Sequence, residues 1–139
     1  MAACLLCDLV AQDDDLSSWR IESAGTWGDA GLAAAPRACQ AMKEFGLKLD
    51  EHRSRCISHD LLPGINLILT MEAGQQEALG IEFPTLRNRI YCLSELIGQH
   101  WDLVDPSGGD LADYIAMARQ IRSVLKTGLS EIKRLARGV

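Results

Sequence analysis

The sequence lacks the marks of a membrane protein, a nucleic-acid-binding protein or a secreted protein. No apolar run approaches the roughly 20 residues that a membrane-spanning helix needs. Basic residues are not in excess: the net charge is −5, whereas a surface that binds nucleic acid needs a basic face. Met1 opens directly into an apolar segment, without the basic stretch of a secretory signal peptide. We therefore expect a cytoplasmic protein with no membrane or nucleic-acid partner.

A disulfide framework is also missing. The cysteines are odd in number and mostly have apolar neighbours; they are Cys4, Cys7, Cys39, Cys56 and Cys92. This pattern is typical of reduced thiols. Cys4 and Cys7 have a spacing found in redox and zinc sites, but no second Cys/His pair follows at ligand spacing. We expect structural thiols and no metal.

What remains describes an ordinary globular domain. The chain has 139 residues, of which 47% are hydrophobic and 24% charged. This length suits a single domain, residues 1–139, with one core. The predicted helices are residues 2–12, 36–45, 58–62, 72–79 and 111–135, and the predicted strands are residues 19–26, 67–71 and 89–93. Strands that alternate with helices predict an α/β domain around a parallel sheet.

Five details of this pattern bear on the fold. Residues 2–12 lack a Ser, Thr, Asp or Asn cap before the first turn. The run 67–71 is apolar throughout, which predicts a strand buried on both faces. Gly80 is expected to close the helix at 72–79. Asp110 is expected to cap the last helix, and Gly128 lies inside its apolar face.

The segment WDLVDPSGGD, residues 101–110, is the strongest candidate for a functional loop. Pro106 fixes its own φ and keeps Asp105 out of the helical region, while Gly108 and Gly109 close the turn. A carboxylate held in this way can be aimed at a site. The same residues also suit a plain surface turn that ends in the cap of the next helix.

Three segments in chain order resemble one family. They are WRIESAGT at 19–26, HRSRCIS with LLPGINLILTME at 52–58 and 61–72, and DLVDPSGGDLADY at 102–114. The chain resembles the low-molecular-weight protein-tyrosine phosphatases, which include bacterial protein-arginine phosphatases and arsenate reductases. The resemblance implies a three-layer α/β fold and cysteine-dependent hydrolysis of protein phosphotyrosine or phosphoarginine, with a phosphorylated protein or a phosphate-like anion as partner. It implies no cofactor.

Such proteins open with a strand and a phosphate-binding loop, Cys-x5-Arg-Ser, whose cysteine is the nucleophile. Here Met1 and Ala2 resemble residues that follow this loop, so the first, central strand, the nucleophile and the arginine are missing. Neither Cys4 nor Cys7 has the arginine that Cys-x5-Arg requires: the residue six positions after Cys4 is Val10, and the residue six positions after Cys7 is Asp13. We expect the chain to be N-terminally truncated, inactive as given, and able to associate through unpaired strands.

The resemblance assigns roles to three residues that are present. Asp105 matches the general acid, and Ser23 and His52 match residues that support the phosphate loop. A turn serine and a surface histidine are the plainer interpretations of the latter two.

The sequence departs from the family pattern in two places. Ser107 stands where family members carry an aromatic or apolar residue, which changes the substrate wall. Residues 72–88 lack the two cysteines that arsenate reduction requires. A phosphatase with a late start is therefore favoured, and a pseudo-phosphatase or binding module is the alternative. We expect the DNA upstream to encode a strand and Cys-x5-Arg-Ser.

Overall fold

A computed structural model describes residues 1–14, 16–26 and 28–138. Its helices are α1 (Ala2–Asp13), α2 (Pro36–Lys43), α3 (Ala73–Glu82), α4 (Leu111–Thr127) and α5 (Leu129–Ala136), and its strands are β1 (Ile68–Thr70) and β2 (Ile90–Cys92). Three 3-10 helices cover Leu16–Ser18, Pro84–Arg89 and Leu93–Ile97. The chain divides into a first compact unit, Met1–Ile57 with Asp105–Ser123, and a second, Ser58–Val104 with Val124–Val139.

The second unit contains the sheet. β1 and β2 pair in parallel, with Ile68 opposite Ile90 and Thr70 opposite Cys92. Parallel neighbours need a crossover connection, and α3 lies within it. The predicted strands at 67–71 and 89–93 are thus confirmed, although each is shortened to three residues. The expectation that the first is buried on both faces is wrong: only Thr70 is fully buried, because β2 is the only strand paired with β1 in the described chain.

The predicted strand at residues 19–26 is not formed. Within the described part of this segment, pairing with the rest of the chain is limited to an isolated parallel bridge between Gly25 and Cys56. The Gly25 N–H donates to the Arg55 carbonyl at 2.8 Å, and the Ile57 N–H donates to the Gly25 carbonyl at 2.9 Å. A strand exists only through its ladder, and residues 19–24 have no ladder partner among the described residues.

Three predicted helix boundaries are also corrected. Residues 58–62 form a turn, in which the Leu61 N–H donates to the Ser58 carbonyl, and Pro63 disfavours helical backbone at the residue before it. Gly80 does not end α3 but lies buried inside it. A Cβ there would make only an ordinary contact, 3.4 Å from Arg87 Nε, so space does not require a glycine at this position. The second helix ends at Lys43, two residues before the predicted end at residue 45, and Gly46 adopts φ +70° in the turn that follows.

The long C-terminal helix that the sequence predicts is two helices, separated at Gly128. Asp110 opens α4 as expected, because its Oδ1 accepts from the Asp113 N–H at 3.0 Å. At Gly128 a Cβ would lie 2.8 Å from the Leu96 Cβ and 3.2 Å from the Val124 carbonyl oxygen. Gly128 is buried, so this close approach leaves no space for a side chain. The glycine is therefore a packing requirement and not only a weak helix former.

Gly128→Ala should consequently destabilise the protein by about 1–2 kcal/mol, because overpacking outweighs the gain in helix propensity. Gly74, in the first turn of α3, is the matched control: a Cβ at this position would have no other atom within 4 Å. Gly74→Ala should gain up to about 1 kcal/mol. Denaturant unfolding at one protein concentration measures both changes. Equal effects of the two substitutions would contradict the packing role of Gly128.

Each unit buries its own set of apolar side chains. In the first unit these are Leu5, Leu9, Val10, Ala38, Ala41, Met42, Leu49, Tyr114, Ala118 and Ile121. In the second they are Leu79, Phe83, Ile90, Cys92, Leu93, Leu96, Leu103, Val124, Leu125 and Ile132. Across the part of the chain that the structure describes, no helix has the length and apolar character to cross a membrane.

Candidate active site

The Asp105 loop holds its carboxylate through local hydrogen bonds. Asp105 Oδ1 accepts from the Ser107 N–H at 3.0 Å and from the Ser107 hydroxyl at 2.8 Å. The loop then turns back, because the Gly109 N–H donates to the Pro106 carbonyl at 2.8 Å and Gly108 adopts φ +82°. Asp105 itself is exposed, and both hydrogen bonds of this clamp fall on Oδ1. The carboxylate is therefore held in one orientation and is also accessible to solvent.

The loop passes directly into α4 through a reciprocal cap. Asp110 Oδ1 accepts from the Asp113 N–H, and Asp113 Oδ2 accepts from the Asp110 N–H, both at 3.0 Å. A Cβ at Gly109 would lie 2.5 Å from Asp113 Oδ2 and 2.9 Å from the Pro106 carbonyl oxygen. Gly109 therefore admits no side chain. The helix-capping turn is thus formed, and the same loop carries the exposed Asp105 carboxylate.

Arg37 is a residue of this region that the sequence did not indicate. It lies in the first turn of α2, and its Nη1 donates to the Gly109 carbonyl. The sequence shows only an arginine after Pro36 at a helix start. This pattern does not indicate that the partner of the arginine is a loop 72 residues away.

Asp102 has a separate task in the second unit. Its Oδ1 accepts from the Ala73 N–H at 2.9 Å, so it satisfies the first amide of α3. The adjacent Leu103 N–H donates to the Met71 carbonyl at 2.9 Å, just beyond β1. Asp102 is therefore engaged in capping a helix, a role different from that of Asp105.

Ser23 and His52 both lie in the first unit. The Ser23 carbonyl accepts from Arg55 Nε at 3.0 Å, and the Ser23 residue is exposed. His52 is half-buried. Burial lowers the pKa of His52, and the Met1 ammonium and the Arg55 and Arg53 guanidinium groups lower it further. No hydrogen bond joins the Ser23 and His52 side chains in the described chain.

The two arginines near His52 are engaged by protein groups. Arg53 Nη1 donates to the His52 carbonyl at 2.7 Å and to the Asp50 carbonyl at 3.2 Å. Arg55 Nη2 lies 3.6 Å from a Glu22 carboxylate oxygen, and Arg55 Nε donates to the Ser23 carbonyl. Arg55 therefore links residues 22 and 23 to residue 55, whereas the bonds of Arg53 stay within residues 50–53.

Cys4 and Cys7 lie half-buried in α1. Burial raises the pKa of both the Cys4 and the Cys7 thiols, which keeps them protonated near neutral pH. The Cys4 thiol faces the Lys48 carbonyl at 3.7 Å, and the Cys56 thiol faces the Gly28 carbonyl at 2.9 Å. Cys92 is buried at the end of β2, 3.8 Å from the Thr70 hydroxyl. Among the described residues no three His, Cys, Asp or Glu side chains are grouped to hold a metal ion.

Comparison with known proteins places this geometry in a family. Residues 1–137 match the family model of the low molecular weight phosphotyrosine protein phosphatases. The protein-arginine-phosphatase of Bacillus subtilis is 25% identical over 115 residues, which are 82% of this chain and 76% of that protein. Arsenate reductase 1 of Staphylococcus saprophyticus is 26% identical over 117 residues, 83% of this chain and 75% of that protein.

A solved structure shows the same fold. The YwlE arginine phosphatase mutant with a phosphorylated active site serine superposes with a TM-score of 0.87 at 23% identity, covering 98% of this chain and 88% of that one. Because the family model matches residues 1–137 of this chain, the chain belongs to the low molecular weight phosphotyrosine protein phosphatase family.

Proposed function

We propose that this chain is the body of a cysteine-dependent phosphatase that acts on protein phosphotyrosine or phosphoarginine, with Asp105 as its general acid. The observation that carries the proposal is the Asp105 carboxylate, clamped at Oδ1 by the Ser107 N–H and hydroxyl on an exposed loop. Two donors on Oδ1 leave Oδ2 as the oxygen that carries the proton. A clamped, accessible carboxylate is what proton delivery to a leaving group requires.

The reaction takes place in two steps. A cysteine thiolate attacks phosphorus, the bond from phosphorus to the leaving oxygen or nitrogen breaks, and Asp105 gives that atom its proton. The Asp105 carboxylate then takes a proton from water as the water oxygen attacks the cysteinyl-phosphate, which releases phosphate and restores the thiolate. An arginine and backbone N–H groups hold the phosphoryl oxygens throughout.

These 139 residues do not contain the pair that begins this reaction. Six positions after each of the five cysteines stand Val10, Asp13, Phe45, Leu62 and Gly98, so no Cys-x5-Arg occurs in the chain. We propose that activity requires a strand and a Cys-x5-Arg-Ser loop ahead of Met1. The lack of a side-chain cap at the start of α1 supports this, because the N–H groups at a helix start suit a preceding anion-binding loop.

Ser23 and His52 are proposed to support that loop. Burial lowers the pKa of His52, and the charge of the Met1 ammonium lowers it further, so a loop joined to Met1 would start in the same part of the first unit as His52. A neutral imidazole can accept or donate a hydrogen bond to the loop backbone. The Ser23 side chain lies on an exposed residue and is available for the same purpose.

Two features of the sequence bear on the substrate and the alternatives. Ser107 uses its hydroxyl on Asp105 and offers no aromatic wall, which favours phosphoarginine over phosphotyrosine. Residues 72–88 contain no cysteine to complete arsenate reduction, so that activity is disfavoured. A pseudo-phosphatase that binds phosphorylated proteins without turnover is the remaining alternative.

The test is to supply the missing loop. A chain with an apolar strand and Cys-x5-Arg-Ser placed ahead of Met1, called here the extended chain, should hydrolyse p-nitrophenyl phosphate. The matched control carries serine in place of the supplied cysteine and should be inactive. An extended chain that folds as a monomer and stays inactive would favour the pseudo-phosphatase.

Self-association of the 139-residue chain is a further expectation. Residues 19–24 form no β-ladder within the described part of the chain, and the described sheet has two strands with open outer edges for N–H and C=O groups. A supplied central strand would pair with such groups. Sedimentation velocity should show oligomers for the 139-residue chain and a monomer for the extended chain. A monomeric 139-residue chain with one cooperative unfolding transition would contradict the missing-strand proposal.

A further inference from the structure

The Asp105 loop is fastened to the first unit by a side chain from α2. Arg37 Nη1 donates to the Gly109 carbonyl, the last residue of the turn that begins at Pro106. This bond reaches the loop from a different element, α2. It joins two segments that are 72 residues apart in the chain.

The hydrogen bonds between Asp105 and Ser107 do not fix the loop relative to the rest of the first unit, whereas the bond from Arg37 does. Ser107 orients the Asp105 carboxylate relative to its own turn, two residues away. The direction of the turn relative to the first unit depends on the start of α4 at Asp110 and on the bond from Arg37. A small rotation of the turn about α4 would carry the carboxylate away from a substrate while leaving the Ser107 clamp intact.

Gly109 makes this attachment stiff. Its carbonyl is the acceptor for Arg37, and its α-carbon is packed so closely on Asp113 and Pro106 that a Cβ would overlap both. The peptide that receives the guanidinium bond therefore cannot shift without disturbing the cap of α4. Arg37 therefore holds the loop at a residue whose position is already restricted by close packing.

We propose that Arg37 is a positioning residue for the general acid: it holds the Asp105 loop in its catalytic orientation and touches neither substrate nor the reacting atoms. The inference rests on the proposed function, since it takes Asp105 as the acid. An exposed guanidinium also has a competing role, direct contact with a phosphorylated or acidic substrate, and kinetics separate the two.

The experiment uses the extended chain with an alkyl phosphate, whose leaving group needs a proton. Arg37→Met should lower kcat about tenfold, less than the roughly hundredfold that a 1 Å misplacement can cost. KM should stay within about twofold, because ground-state binding is unchanged. Arg37→Lys, which keeps a cationic donor, should recover most of the loss. Arg119→Met, at an exposed position of α4 in the same unit, is the control and should leave kcat unchanged.

A double mutant tests whether Arg37 acts through Asp105. In an Asp105→Asn background Arg37→Met should cause no further loss, because there is no acid left to position. Additive losses, or a raised KM at unchanged kcat, would overturn the inference. If Asp105→Asn is impaired and Arg37→Met is not, only the role of Arg37 fails; if Asp105→Asn keeps full activity, the proposed function fails with it. Matching thermal midpoints of Arg37→Met and Arg119→Met exclude unfolding as the cause, and Arg37→Gln provides a second variant.

Discussion

The 139-residue chain should give no detectable hydrolysis of p-nitrophenyl phosphate. Phosphoryl transfer in this family needs a thiolate in line with phosphorus and an arginine that grips the phosphoryl oxygens, and the chain contains no Cys-x5-Arg to provide them. Burial raises the pKa of the Cys4 and Cys7 thiols, so neither offers a thiolate at neutral pH. The assay is a steady-state measurement at pH 7, with the extended chain as positive control.

One outcome would show that the nucleophile has been misplaced. If the 139-residue chain turns over substrate, and the activity disappears with Cys4→Ser or Cys7→Ser, the reaction would have its thiolate in α1. The same variants should otherwise change nothing in the extended chain. Because their pKa values are raised, thiolates at these positions would also give a rate that climbs with pH beyond the ordinary thiol range.

Asp105→Asn in the extended chain should lower kcat by about 10²–10³, the range expected when a general acid is lost. Asparagine keeps the shape of the side chain and can still accept from Ser107, so the loop should stay folded. What disappears is the proton on Oδ2. The loss should be largest on alkyl or arginine phosphates, whose leaving groups depend on protonation, and should be measured as kcat at saturating substrate.

Asp102 is the matched control, a carboxylate three residues earlier with a different task. Asp102→Ala removes the acceptor for the Ala73 N–H and should cost about 0.5–2 kcal/mol of stability, as loss of a helix cap does. It should leave kcat nearly unchanged. Equal, small losses of kcat in the Asp105 and Asp102 variants would contradict the assignment of the acid.

Local signals were enough to predict much of the fold. The Pro36 start of α2, the turn at Gly46, the Asp110 cap and the apolar run that becomes β1 all depend on residues within a turn or two of each other. Their chemistry acts over the same short distance, so the sequence pattern is sufficient. The clamp of Asp105 by Ser107 is local in the same sense.

Several of the failures are nonlocal. Gly80 and Gly128 look like helix ends, but Gly80 lies inside α3, and Gly128 is required because the Leu96 side chain approaches it from elsewhere in the chain. Residues 19–24 have the alternation of a strand, yet a strand needs a ladder partner and the described chain supplies none. The interpretation of residues 1–139 as a single domain stays a prediction.

The residues of the candidate site also differ in whether local sequence signals are enough to predict them. Asp105 could be found because Pro106 and two glycines mark its loop, and because three segments together resemble a family that is now identified over residues 1–137. Arg37 could not be found, since its partner is a main-chain carbonyl and leaves no sequence signature. The roles of Ser23 and His52 stay predictions, and the position of His52 near the Met1 ammonium supports them.

The most direct test of the central claim is the dependence of kcat on leaving-group acidity. A series of aryl phosphates, from acidic to weakly acidic phenols, is measured with the extended chain and with its Asp105→Asn variant. If Asp105 protonates the leaving oxygen, the unsubstituted enzyme should show a shallow dependence and the variant a steep one, with the two converging for the most acidic phenol. Parallel lines, displaced by a constant factor, would contradict the claim and make Asp105 a structural residue of its loop.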